Sequence, residues 1–193
     1  MSSTRAWLFR VLVLASGGLL LYSWFTPWWS ARVMSVVGKH HVVIHPFGLE
    51  VILEDIYNFI DVAAANIPAW VTPVLWTYLV IAIAALLFSL WAKDKDLRVW
   101  KVRFTLPSWI IGIVGFSYIV VAVVMFIIAT IKTADLGIPL TGITETQAFE
   151  VLEGLSVSIK SDLQLGYWLA YGAGTLLIVL ALLRNKIIGK RLP

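Results

Sequence analysis

Three histidines, His40, His41 and His45, crowd into one short β-branched stretch of the sequence. Imidazole is a good ligand for zinc or copper, and Glu50 would supply a fourth donor. On a strand, His41 and His45 share one face and His40 takes the other. That alternation works against convergence of all three rings. The plain alternative is an exposed, weakly polar strand close to a membrane surface. His40, His41 and His45 are carried forward as the candidate metal site. Histidine also suits pH sensing, for which residue type is the sole support.

Other chemistry meets firmer obstacles. The chain has no cysteine, which excludes disulfides, thiolate metal sites and cysteine nucleophiles. Its most apolar stretches contain serines but no Asp, Glu or His to activate one. Haem would need axial ligands there, and Met125 by itself is not enough. The acidic pair Glu54-Asp55 is explained more simply as a solvated helix face. No glycine-rich phosphate loop is present. The expectation is therefore a protein that is not an enzyme and needs no cofactor.

These residues sit in an unusual background. Of the 193 residues, 60% are hydrophobic and 13% charged, where soluble domains average roughly 45–50% and 25%. A soluble fold of this size could not hide so much apolar surface. A spanning helix needs about 20 apolar residues, and four stretches qualify: 11–29, 70–91, 108–130 and 165–183. None contains an ionisable Asp, Glu, Lys, Arg or His, which weighs against a self-sufficient ion-coupled transporter. Arg5 and Arg10 precede the first stretch, but it is long for a signal peptide and no A-x-A site follows. It reads as an uncleaved anchor, closed by the interfacial cluster Trp24, Phe25, Trp28 and Trp29.

Charge sets the expected orientation. The N-terminus, the 92–107 loop and the C-terminal tail carry eleven basic residues against two acidic, a net +9. The other side, loops 30–69 and 131–164, carries four basic against nine acidic, a net −5, which accounts for the chain's +4. Basic excess marks the cytoplasm, so both termini are expected there, in a multi-pass protein of the cell membrane. The same asymmetry removes nucleic acid as a partner, because topology already explains the basic residues. Lys93, Lys95, Arg98, Lys101 and Arg103 could meet anionic headgroups, although topology alone requires such charges.

The outer loops carry their own patterns. Residues 30–37 and 40–44, broken by Gly38-Lys39 and ended by Pro46, read as a β-hairpin. Residues 49–65 recur at helical spacing, with an acidic polar face. Thr144 and Gln147 fit a capping box that opens a short helix at 145–153. Residues 155–160 alternate as a strand able to pair with the hairpin. The expected fold is an all-α membrane protein: a four-transmembrane-helix bundle with a small extracytoplasmic α/β region from the two outer loops, the whole forming one integral membrane domain over 1–193.

The order of these features resembles the claudin-type four-span arrangement. The shared pattern is a span, then Pro27-Trp28-Trp29, a β-rich first loop with Gly48-Leu49, three more spans, a shorter second loop and a glycine-rich last helix. The family's signature joins Gly-Leu-Trp to two cysteines. Here Gly48-Leu49 is followed by Glu50, and cysteine is absent. The resemblance implies an outer sheet and work in adhesion, barriers or as an auxiliary subunit. It transfers no functional residue.

Small residues allow close helix approach in lipid. Ser108, Gly115, Ala122 and Ala129 recur every seven residues in the third span, and Gly166, Ala170 and Gly174 every four in the fourth. These seams suit packing within the bundle, or a docked partner subunit. The leading functional expectation is a non-enzymatic four-span protein working through partners, as an accessory subunit of a membrane complex or a claudin-like interaction protein. Its expected partners are the lipid bilayer and a membrane protein or further copies of itself. One alternative is a channel or transporter component whose pore arises in an oligomer, with Tyr22, Tyr78, Ser117, Tyr118 and Tyr171 as lining candidates. The other is outer-face metal binding at the histidines.

Overall fold

The structure is a computed structural model that describes residues 3–35, 38–53, 68–92, 96–99, 102–135, 139–147 and 156–188. Four long helices dominate it: α1 (Ser3–Phe25), α2 (Val71–Trp91), α3 (Leu106–Asp135) and α4 (Leu165–Ile188). At 1.5 Å per residue even the shortest, of 21 residues, is about 31 Å long, the thickness of a bilayer core. All four are long and apolar enough to cross a membrane.

Prolines mark the helix limits. Pro27 disfavours helical geometry in the residue before it, and α1 ends at Phe25. Pro73 and Pro107 lie in the first turns of α2 and α3, where the missing N–H would have had no partner in the helix. Only 22–44% of each spanning window is buried within the chain. Val80, Ile81, Phe116 and Trp168 are each more than 60% exposed. Apolar surface on that scale is stable against lipid rather than water, so the chain reads as a multi-pass membrane protein.

Among the described residues seven strands lie between the helices: β1 (Trp29–Ser35), β2 (Gly38–His45), β3 (Gly48–Leu53), β4 (Asp96–Val99), β5 (Val102–Thr105), β6 (Gly142–Gln147) and β7 (Ser156–Leu163). Five form one antiparallel sheet in the order β3-β2-β1-β7-β6. β4 and β5 form a separate hairpin. The chain divides into two compact units: Met1–Tyr22, Trp76–Ala122 and Leu169–Pro193, and Ser23–Leu75 with Val123–Trp168. They are called the helix unit and the sheet unit below.

Within the sheet unit, β1 is central and joins the two long connections. Trp29 faces Leu163, Ala31 faces Ser161 and Arg32 faces Lys160 across the β1–β7 ladder. Alternation explains the face that is buried. Trp29, Ala31 and Val42 form a small core with Ile44, Leu140, Ile159 and Leu163 packed on it. Trp29 donates its indole N–H to the Leu140 carbonyl at 2.7 Å, and the Ser161 hydroxyl donates to the Pro139 carbonyl.

The ladder continues beyond the strands. Trp28 N–H donates to the Ile44 carbonyl and Gln164 N–H to the Trp28 carbonyl, both at 2.9 Å. Gly166 N–H donates to the Pro27 carbonyl at 3.0 Å. The start of α4 is thus stitched to the chain leaving α1. The fit leaves no room for a side chain, since a Cβ on Gly166 would lie 2.4 Å from the Thr26 oxygen and 2.6 Å from the Pro27 oxygen.

Three expectations change. The first helix stops at Phe25 rather than running to residue 29, because Trp28 and Trp29 already belong to the sheet's hydrogen bonding. Residues 49–53 are strand β3 rather than the start of a helix at 49–65, since the turn at Pro46-Phe47 pairs them with β2. Residues 145–147 close strand β6 rather than opening a helix at 145–153, since they pair with Ser156–Ser158. The rest of both helical expectations falls on residues outside those described. The chain is mostly helical, as expected, with four helices of spanning length and a small antiparallel sheet. The expected hairpin is present, and so is its pairing with a strand from the second loop.

The Gly166 contact gives a direct test. Gly166→Ala forces a methyl group against two fixed carbonyls and should cost roughly 1–3 kcal/mol. Gly172→Ala meets nothing within 4 Å and should leave stability unchanged or slightly raised. Thermal unfolding of both variants in one detergent makes the comparison.

Candidate functional site

The histidines occupy defined register positions. On β2, His40 lies opposite Val33 and Leu53, and His41 opposite Arg32 and Ile52. His45 closes the strand and stacks on Phe47, with ring centres 5.1 Å apart. His41 is half-buried, and its Nε2 finds no hydrogen-bond partner among the described residues. Among the described residues no group of three or more His, Asp or Glu stands close enough to hold a metal ion. The side chains of His40 and Glu50 are outside that description.

The seam residues divide between the units. In the helix unit, Ser108 and Ala122 are buried, and Gly115 meets Gly174 where α3 and α4 touch backbone to backbone. A Cβ on Gly115 would lie 2.7 Å from the Gly174 oxygen, and one on Gly174 would lie 2.9 Å from the Gly115 oxygen. Ala170 is also fully buried there. In the sheet unit, Ala129 is half-buried, and Gly166 packs on the Thr26-Pro27 backbone rather than on a second helix.

Hydroxyl groups along the helices are used within the chain. Tyr118 donates to the Leu20 carbonyl at 3.2 Å, joining α3 to α1. Tyr78 and Ser117 share a hydrogen bond at 3.0 Å, joining α2 to α3. Ser16 donates back to the Leu12 carbonyl. Of the suggested pore-lining residues, Tyr78, Ser117 and Tyr118 thus work as helix-to-helix ties.

Arg184 is the residue that span-by-span reading misses. Counting charges placed it in the tail beyond a span that ended at 183. The helix continues to Ile188, and Arg184 is only 7% exposed. Its Nη1 donates to Thr105 Oγ1 at 2.7 Å, and Thr105 shares a 3.0 Å hydrogen bond with Ser108. The guanidinium carbon lies 5.7 Å from the centre of the Phe9 ring, a cation–π distance. One cation therefore joins α1, the end of β5 just before α3, and the end of α4. A signal was present: Ala170, Leu177 and Arg184 are seven apart, and all three are buried.

The sheet presents a row of a different kind. Ile143, Lys160, Arg32 and His41 lie side by side across β6, β7, β1 and β2. Ile143 is 66% exposed, and Lys160 and Arg32 are exposed beside it. Like charges directly opposite on neighbouring strands are destabilising. Asp162 relieves this in part, with a 3.9 Å contact to Lys160 between two half-exposed side chains. Such a pair is worth little in water.

No family model matches the sequence, and no curated protein matches it.

The Arg184 tie predicts an asymmetry between neighbours. Arg184→Met loses a charge-assisted hydrogen bond and should cost roughly 1.5–3 kcal/mol. Lys186→Met, at an exposed position, should change stability by less than about 0.5 kcal/mol. Denaturation in detergent micelles, followed by tryptophan fluorescence, reads both.

Proposed function

We propose that this protein acts without catalysis, through protein partners, as an accessory subunit of a membrane complex or a claudin-like interaction protein. Both termini lie in the cytoplasm on this reading, as the charge asymmetry requires. The two long loops then belong to the opposite side, and their sheet supplies the contact surface. The observation that carries the reading is the exposed row Ile143–Lys160–Arg32–His41. It places an apolar side chain at a sheet margin beside two facing cations. In the isolated chain that arrangement is unfavourable. A partner carboxylate between Lys160 and Arg32 turns it into an attraction, and Ile143 supplies apolar area to bury. Cations so placed give specificity and steering more than raw affinity.

The helices support the same reading. None holds a Glu or His, and their hydroxyls tie helix to helix. The sheet drawn from both loops is the kind of feature that the claudin-type resemblance implies.

The test is a photo-crosslinking amino acid at position 143 in the full chain, purified in mild detergent and weighed by native mass spectrometry. The reading predicts a stoichiometric heteromer and one crosslinked partner. Arg32→Glu with Lys160→Glu should abolish that crosslink without changing the melting temperature by more than a few degrees. A lone homo-oligomer with no crosslink would overturn it and turn attention to pore activity in liposomes.

A further inference from the structure

Beyond the sheet, the helix unit has an open groove of about 230 Å³ along α3 and α4. Its walls are Trp109, Gly112 and Phe116 from α3 and Ile178 and Leu182 from α4, with Ser108 at one end. The lining is almost wholly apolar. The glycine matters here, because a side chain at 112 would stand in the gap beside Ala181.

The groove's end differs in chemistry from its floor. Residues four apart share a helix face, so Lys186 follows Leu182 and Asn185 follows Ala181 one turn beyond the lining. Lys186 is exposed. Asn185 Oδ1 is buried and finds no hydrogen-bond partner among the described residues. Ser108 supplies a hydroxyl from the facing helix, and Arg184 adds a second cation two hydrogen bonds behind it. An apolar trough thus runs toward an exposed cation one helical turn beyond its lining.

We infer that this groove binds one anionic phospholipid. An acyl chain lies along Gly112, Phe116, Ile178 and Leu182. The phosphate sits on Lys186. Charge complementarity selects this occupant over a second copy's helix, since an apolar helix offers nothing to the cation. Basic pockets between membrane helices take anionic headgroups in this way. The indole of Trp109 suits the same boundary depth.

The experiment is native mass spectrometry of the delipidated full chain, titrated with phosphatidylglycerol or phosphatidylcholine. The expected result is one phosphatidylglycerol per chain, preferred over phosphatidylcholine by roughly fivefold for the contribution of Lys186. Lys186→Gln should erase the preference while still admitting either lipid. Leu182→Trp fills the groove from its exposed rim, and should abolish binding of both lipids with an unchanged melting temperature. Equal binding of the two lipids by the unaltered chain would overturn the inference. So would lipid retention by Leu182→Trp. A delipidated chain that dimerises, and that Leu182→Trp returns to monomer, would assign the groove to a second copy instead.

Discussion

The backbone join between the chain leaving α1 and the chain approaching α4 is the constraint on which the sheet unit depends. Residues 27–34 and 158–166 share a continuous set of main-chain contacts, from the Pro27 carbonyl at one end to Met34 at the other. Two segments more than a hundred residues apart are held as neighbours. A loop of that length costs more entropy to close than a short hairpin, though the cost grows slowly with length. The ladder, the Trp29 core and the glycine at 166 together offset it. Once β1 and β7 are paired, β2 and β3 add on one side and β6 on the other through short turns.

Inside the helix unit a second economy operates. Hydrogen bonds and close backbone packing replace the hydrophobic drive that helices lose in lipid. Gly115 and Gly174 bring two backbones into contact, and Tyr118 and Tyr78 reach across to neighbouring helices. Arg184 is the exception in kind, a buried cation in a helix end. It keeps its place because Thr105 accepts its hydrogen bond and Phe9 offers a ring face. A buried ionised group is costly unless so satisfied. That cost gives the α3–α4 end of the unit its definition, and the same end holds the polar head of the lipid groove.

Much of this was legible in the residues, and for identifiable reasons. Four apolar stretches of spanning length fix four helices, because length and hydropathy are nearly decisive in lipid. The hairpin at 30–44 was marked by β-branched composition and its partner at 155–160 by period-two alternation, and the described residues of both are strands. The misread positions were those where two periods compete. Leu49, Ile52 and Leu53 fit a helical stripe, yet the tight turn at Pro46-Phe47 commits residues 48–53 to β2. Thr144 to Gln147 fit a capping box, yet the segment pairs with β7. In both cases a tertiary partner outweighed local pattern, as is common for strands. The Arg184 tie and the row at Ile143 were hidden for another reason. Both depend on which residues become neighbours across strands or helices, which spacing along one chain does not state.

The central claim is that both loops build one sheet in the stated register. The chain's lack of cysteine makes this directly measurable. Arg32 and Lys160 face each other across β1 and β7 and are both exposed, so Arg32→Cys with Lys160→Cys places two thiols within bridging range. Mild oxidation in the membrane should join them within one chain in high yield. The same treatment should leave Arg32→Cys with Asp162→Cys, displaced by two residues along β7, largely reduced. Equal yields from the two pairs, or no bridge from the first, would contradict the register and the joined sheet on which the account rests.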